Sequence, residues 1–340
     1  MSTPSDYRPP DLSRRVALVA GATRGVGRGI ALALGEAGAT VYCTGRSTGA
    51  NRIPRKPGEK ISPFDHAHRP ETIDETAAMV TARGGHGIAV VVDHTDAAQV
   101  KSLVERIRAE QGRLHILVND ISELVHADFG KLFWQLNLED GLKNLRNVVH
   151  THVTTSHFAA PLLIETSAGE KSPTGLIVEI GDGDSYSYRG HLFYDLAKTT
   201  VIRLAFAMAR ELRKKNVAAI ALTPGFLRSE AMLEYFGVTM ENWRDAARKD
   251  PNYLASETPL FAGRAVAALS ADPDLRKKSG RVFSSWRLSE EYGFCDADGA
   301  RPHWGRHFAK TYGAHLKYCD DAFYEHWVDP AVDALFPDWP

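Results

Sequence analysis

From residue 15 to about residue 285, short apolar runs alternate with longer amphipathic stretches. The runs at 16–20, 40–44, 87–92, 115–118, 175–180, 217–222 and 281–284 are brief, rich in aliphatic residues and apolar on both faces. A strand reads that way when helices cover both sides of a parallel sheet, because neither face meets water. Between them, the stretches at 27–37, 73–83, 97–111, 139–164 and 192–215 carry helical spacing. This alternation predicts an α/β fold, a doubly wound, mostly parallel sheet of about seven strands. No repeat of solenoid period runs through the chain.

Two regions depart from the pattern. Residues 45–70 are rich in Pro, Gly and Arg and predict a long loop after the second strand. The last ~55 residues carry Trp286, Trp304, Trp327 and Trp339 among other aromatics. Aromatic side chains bury large areas. Residues 1–285 are therefore expected to form the main domain, with 286–340 an aromatic-rich extension packed on it.

Composition narrows the functional classes. A net charge of -1 supplies no basic field for nucleic acid or an anionic membrane. No apolar run reaches the ~20 residues that span a bilayer. The polar N-terminus lacks the apolar segment of a secretion signal. Cys43, Cys295 and Cys319 are too widely spaced for a disulfide framework or a zinc site, so a reduced, cytoplasmic setting is expected. His66 and His68 lie in the long loop and His150, His152 and His157 on one helical stretch. Positions two apart do not share a helical face, so metal binding is not expected.

The first strand runs into Gly21-Ala22-Thr23-Arg24-Gly25-Val26-Gly27 and then a helix. Glycines at 21, 25 and 27 allow a tight turn, close approach of backbone to a diphosphate, and packing of helix on sheet. The helix start then offers free N–H groups to the anion. Strand before and helix after make this a Rossmann-type dinucleotide turn rather than an ordinary glycine loop.

The G-x-x-x-G-x-G spacing resembles the short-chain dehydrogenase/reductase superfamily, and the resemblance extends over residues 12–285. It implies that Gly21, Thr23, Arg24, Gly25, Val26 and Gly27 hold the cofactor phosphates. The second strand ends in Gly45-Arg46-Ser47, where NAD enzymes place an acid for the ribose 2′-hydroxyl. A guanidinium favours a 2′-phosphate instead, so NADP(H) is the expected cofactor, with Arg24 and Ser47 nearby. The alternative makes Arg46 a solvated loop charge. Asp93 resembles the family's adenine-contacting Asp, with His94 beside it. Asn119 matches the first Asn of the Asn-Asn-Ala-Gly motif, whose remaining positions here are Asp120, Ile121 and Ser122. Pro224-Gly225 and Ser229 resemble the segment beside the nicotinamide.

Tyr194-Asp195-Leu196-Ala197-Lys198 gives a Tyr-x-x-x-Lys pair on one helical face. The resemblance makes Tyr194 the acid or base and Lys198 its partner and ribose contact. Two further family positions are altered. Where a catalytic Ser is expected stand Gly181 and Asp182; Ser185 is a candidate substitute, and Asp182 replaces a hydroxyl only as an acceptor, or as a donor when protonated. The family's relay Asn falls near His152, which is read either as a relay group or as a structural helix histidine. The resemblance makes the segment carrying Phe226, Met232, Tyr235, Phe236 and Trp243 a lid; its aromatics point either to an apolar or ring-bearing substrate, with Phe133 and Trp134 on the opposite wall, or to packing against the tail.

The expected function is an NADP(H)-dependent carbonyl reductase or alcohol dehydrogenase acting on a small molecule. The alternative is a non-catalytic NADP-binding sensor or scaffold. Family resemblance implies a homo-dimer or homo-tetramer built on the helices at 139–164 and 192–215.

Overall fold

The computed structural model describes residues 7–53, 62–122, 130–168, 175–184 and 188–313. Strand β1 (Val16–Ala20) leads through the glycine turn into α1 (Gly25–Glu36), followed by β2 (Thr40–Gly45). Next come α2 (Ile73–Ala82), β3 (His86–Val91), α3 (Ala97–Gln111) and β4 (Ile116–Asn119). Helix α4 (Leu138–Leu145), a π turn (Arg146–His150) and α5 (Thr151–Ala168) precede β5 (Gly175–Ile180). Then follow α6 (Leu192–Glu211), β6 (Val217–Thr223), α7 (Glu230–Phe236) and α8 (Pro259–Ser270). Strand β7 (Val282–Ser284), α9 (Ser285–Tyr292) and α10 (Trp304–Tyr312) complete the described chain.

Among the described residues the strands form one parallel sheet in the order β3-β2-β1-β4-β5-β6-β7. The order reverses between β1 and β4, which opens a crevice at their carboxyl ends. Alternate residues serve opposite faces. Ala17, Val19, Val118 and Val178 pack with Ile30 and Leu34 of α1, Phe261 of α8 and Trp286 of α9. Val16, Leu18, Leu117 and Ile177 pack with Ile107 of α3 and Leu162 of α5. Helices α1 and α8 cross backbone to backbone: a Cβ at Gly263 would stand 2.3 Å from the Gly29 carbonyl oxygen.

The sheet and its helices follow the sequence expectation, with local differences. Helix α1 starts at Gly25, two residues before the expected start. The expected single helix at 139–164 contains the π turn, and α6 stops at Glu211 rather than at 215. Helix α8 was not anticipated. Its sequence PLFAGRAVAALS shows little polar face because α1 and the core bury most of it. In the extension, Trp286 and Phe294 are buried in the main core and Asp296 forms a buried ion pair with Arg228. Trp327, Trp339 and Cys319 lie outside the described residues. Among the described residues no helix is long and apolar enough to cross a membrane.

Candidate active site

The carboxyl ends of β1, β4, β5 and β6 open into a cleft of about 1240 Å³. Its floor begins at the glycine turn. Gly21 takes φ +92, and a Cβ there would lie 2.5 Å from the Asp120 carbonyl oxygen. A Cβ at Gly27 would lie 2.2 Å from the Gly21 carbonyl oxygen. The Gly21 and Ala22 N–H groups donate to the Thr44 carbonyl, which ties the turn to the end of β2. Gly21, Thr23, Arg24, Gly25 and Val26 line the cleft, whereas Gly27 packs behind them. Helix α1 thus presents its positive end to the cleft wall.

A carboxylate already meets that end. The Gly25 N–H donates to Glu230 Oε2 of α7 at 2.9 Å, and Arg28 Nη1 lies 3.8 Å from Glu230 Oε1. One turn along α7, Glu234 pairs with buried Arg69. An anion entering the turn competes with Glu230 for the same donors. Glu230→Gln is therefore expected to tighten NADPH binding roughly two- to fivefold, the equivalent of about 0.3–1 kcal/mol for one charge at a helix start. Fluorescence titration checks this, and an unchanged Kd would count against the competition.

Arg24 donates to Glu71 at 3.2 Å and lies 3.0 Å from His66 Nδ1. Its Nη2 is buried with no hydrogen-bond partner among the described residues. Arg46, more than half exposed, stands 4.0 Å from Asp93 Oδ2 at the cleft edge, with Ser47 beside it. Burial disfavours the Asp93 carboxylate, but the Thr95 hydroxyl and N–H and the Arg46 charge outweigh it and hold its pKa below the usual range. The His94 ring is placed differently from its expected role. It packs between Thr44 and Thr155, each hydroxyl 2.9 Å away, and burial lowers its pKa to about 3. The ring is neutral and engaged in linking β2 to α5.

Tyr194 and Lys198 line the same cleft from one face of α6, whose first turn is capped by His191. The Tyr194 hydroxyl donates to Asp182 Oδ2 at 2.5 Å. Burial first, then the Asp182 carboxylate, push the phenol above its ordinary range. Lys198 Nζ donates to Ser122 Oγ at 3.1 Å. Burial lowers the ammonium's pKa, with Asp182 and Asp120 acting against that shift. Asp120 itself is pushed up to about 7 by burial, against the pull of Lys198 and the Gly27 N–H.

Asn119 and His152 are not at the cleft surface. Asn119 donates to Glu179 Oε1 at 2.6 Å and to Ser156 Oγ at 2.9 Å. His152 Nδ1 lies 2.6 Å from Glu179 Oε2, and its Nε2 lies 3.1 Å from the Ile121 carbonyl. Both ring nitrogens face acceptors, so His152 is held under the cleft wall rather than in it. Asn147, on the π turn, and Thr151 line the cleft above it. Ser185 lies outside the described residues. Gly181, immediately after β5, has no side chain.

Beyond β6, Pro224 and Gly225 border the cleft. A Cβ on Gly225 would meet Glu257 Oε2 at 2.8 Å and Trp304 Cβ at 2.9 Å. Glu257, buried beneath this turn, is pushed up to about 8. Ser229 lines the cleft and caps α7 by accepting the Met232 N–H. The aromatic wall comes from two parts of the chain: the Phe226 and Trp304 rings meet edge to face at 5.6 Å, and Phe308 packs on Tyr312. Phe133 and Trp134, expected on the opposite wall, are exposed and do not line the cleft.

The sequence pattern described as short chain dehydrogenase matches residues 58–236. A mouse protein named dehydrogenase/reductase SDR family member 1 is 33% identical over 84% of this chain and 84% of its own length. The chain belongs to the short-chain dehydrogenase family. The human protein of the same name is 31% identical, covering 85% of each chain. A 3-oxoacyl-(acyl-carrier-protein) reductase of Vibrio harveyi is 24% identical over 77% of this chain and 95% of its own. A solved short chain dehydrogenase from Mycobacterium thermoresistibile shares the fold, with a TM-score of 0.66 and 19% identity over 86% of this chain and 92% of that one. The protein is thus an oxidoreductase of a family that uses nicotinamide cofactors.

The cleft has the features such a cofactor needs: glycines with no room for a side chain, a helix start, and a buried arginine nitrogen with a donor to spare. Sequence reasoning missed several residues around it. Glu230 touches the turn from 205 residues away in sequence. Asn147 carried a signal only in hindsight of the π turn, a helix irregularity that often marks functional positions. Trp304, Phe308 and Tyr312 lie in the extension expected to pack on the main domain, and they line the cleft.

Proposed function

We propose that this protein is an NADP(H)-dependent oxidoreductase interconverting a carbonyl compound and an alcohol, with Tyr194 as the acid or base. The observation that carries this reading is one cleft lined both by the glycine turn and by Tyr194 and Lys198. Gly21, Thr23, Gly25 and Val26 would hold the diphosphate, and Arg24, Arg46 and Ser47 the 2′-phosphate. Asp93 and the backbone of His94 would border the adenine end, and Pro224, Gly225 and Ser229 the nicotinamide. When bound, the nicotinamide supplies or accepts the hydride.

Tyr194 moves a proton at the substrate oxygen, and Lys198 supplies positive charge and a ribose contact. Asn119 and His152 support the wall from beneath. The aromatic wall favours an apolar or ring-bearing substrate. The carbonyl substrate named for the Vibrio harveyi relative supports the reaction class. A dimer or tetramer through α5 and α6, in the cytoplasm, is part of the same reading. Val153 and Leu196 leave apolar surface on these two helices.

Titration with NADPH and NADH, followed by a panel of carbonyl and alcohol substrates, tests the reading. Saturable NADPH binding with turnover supports it; binding without any turnover favours a non-catalytic NADP sensor or scaffold. Gly181, which removes the hydroxyl expected at the end of β5, is the observation behind that second reading. Arg46→Asp is expected to weaken NADPH binding roughly tenfold or more, the scale of a charge-assisted hydrogen bond, with little effect on NADH. Equal loss for both nucleotides would overturn the phosphate assignment.

A further inference from the structure

The end of β5 carries an unusual chemical arrangement. Gly181 offers no side chain, and the next residue, Asp182, accepts the Tyr194 hydroxyl at 2.5 Å. Asp182 is half-exposed to the cleft. Arg189, from the loop after β5, donates through Nε to the Asp182 carbonyl at 2.5 Å and lies 3.9 Å from Oδ2. On α6, Tyr194 contacts the carboxylate and Lys198 acts on it through charge. A hydroxyl in this position would donate to a developing oxyanion. A carboxylate does the opposite: it accepts a proton and repels negative charge.

We propose that Asp182 is the terminal proton acceptor of this site, so that Tyr194 passes a proton instead of ionising, and that the site is built for alcohol oxidation. This rests on the reading of the cleft as an oxidoreductase site. The step balances as follows. The substrate O–H bond breaks and its proton bonds to Tyr194 Oη, while the Tyr194 O–H bond breaks and that proton bonds to Asp182 Oδ2. The substrate C–H bond breaks with both electrons leaving to the oxidised nicotinamide, and the C=O bond forms. Asp182, facing solvent, then releases the proton to water. The phenol, held above its ordinary range, stays neutral throughout. The reverse reaction draws the proton from Asp182 back through Tyr194 to the substrate oxygen.

The test compares wild type with Asp182→Asn, which keeps the shape, and Asp182→Ser, which returns a hydroxyl. Thermal melting confirms folding, and NADPH titration confirms nucleotide binding. Ultraviolet difference titration, referenced to Tyr194→Phe, reads the phenol directly without turnover. Both variants are expected to shift the Tyr194 ionisation downward, toward the ordinary ~10. With an alcohol panel, Asp182→Asn is expected to lose roughly 10²-fold or more in kcat, the scale of one lost acid–base group, with KM little changed. Asp182→Ser is expected to move the pH profile for oxidation to the alkaline side, because its phenol must ionise unaided. Variants that match wild type in turnover or leave the phenol unmoved overturn the assignment of Asp182 alone. Absence of turnover by all three proteins, with nucleotide bound, overturns the oxidoreductase reading and this one together.

Discussion

Exchanging Tyr194 for Phe is expected to lower kcat roughly 10²–10⁴-fold while leaving the Kd for NADPH nearly unchanged. Only the hydroxyl is removed, and the ring stays on the face of α6 that enters the cleft. Its partner, Asp182, has access to water, so loss of the phenol proton leaves no buried group without a partner and costs little stability. The group that remains, Lys198, has no hydroxyl through which to move a proton. Single-turnover measurement with bound nucleotide separates the effects: binding amplitude is retained and the rate constant falls. A loss confined to Kd would place Tyr194 in binding alone, and an unchanged rate would remove it from the chemistry.

The parts of this site that could be read from the chain are those encoded by local rules. The turn from Gly21 to Gly27 imposes its glycines through close contacts within a few residues and with the adjacent β4 end. Tyr194 and Lys198 share a face because four residues make about one helical turn. The inner strands were legible because burial on both faces leaves short apolar runs, while the edge strand β3 is only partly covered. What escaped was set by partners distant in sequence. Glu230 reads as an ordinary acid at a helix start, favoured there by its own helix, and nothing local announces that it reaches Gly25. His152 was matched to a relay position by order along the chain, while its surroundings come from Glu179 on β5 and Ile121 after β4. Helix α8 was obscured by its own burial: a helix packed against α1 and the sheet loses the polar stripe that periodicity depends on. The Thr258-Pro259 start was the available signal.

Glu179→Ala is expected to cost roughly 3–5 kcal/mol, because it leaves buried polar partners unmatched. Glu179 is fully buried in the middle of the sheet, directly opposite Asn119 in the β4–β5 register. Its two oxygens receive Asn119 Nδ2 and face His152 Nδ1, both at 2.6 Å. The second His152 nitrogen faces the Ile121 carbonyl, just before Ser122, the Lys198 partner. One carboxylate thus joins two strand ends and α5 directly beneath the loop that meets Lys198. Alanine would leave the imidazole and amide donors in a space that water does not reach, and the Ile121–Ser122 segment would lose its anchor. Thermal melting is expected to fall by roughly 4–7 °C on that scale. Glu179→Gln keeps the shape and one acceptor, so its loss is expected to be smaller. Pairing it with His152→Gln in a double-mutant cycle is expected to give about 0.5–3 kcal/mol of coupling, as groups in one network do. A Glu179→Ala protein as stable as wild type would show that the three groups do not act as a unit, and the support assigned to His152 beneath the cleft would go with it.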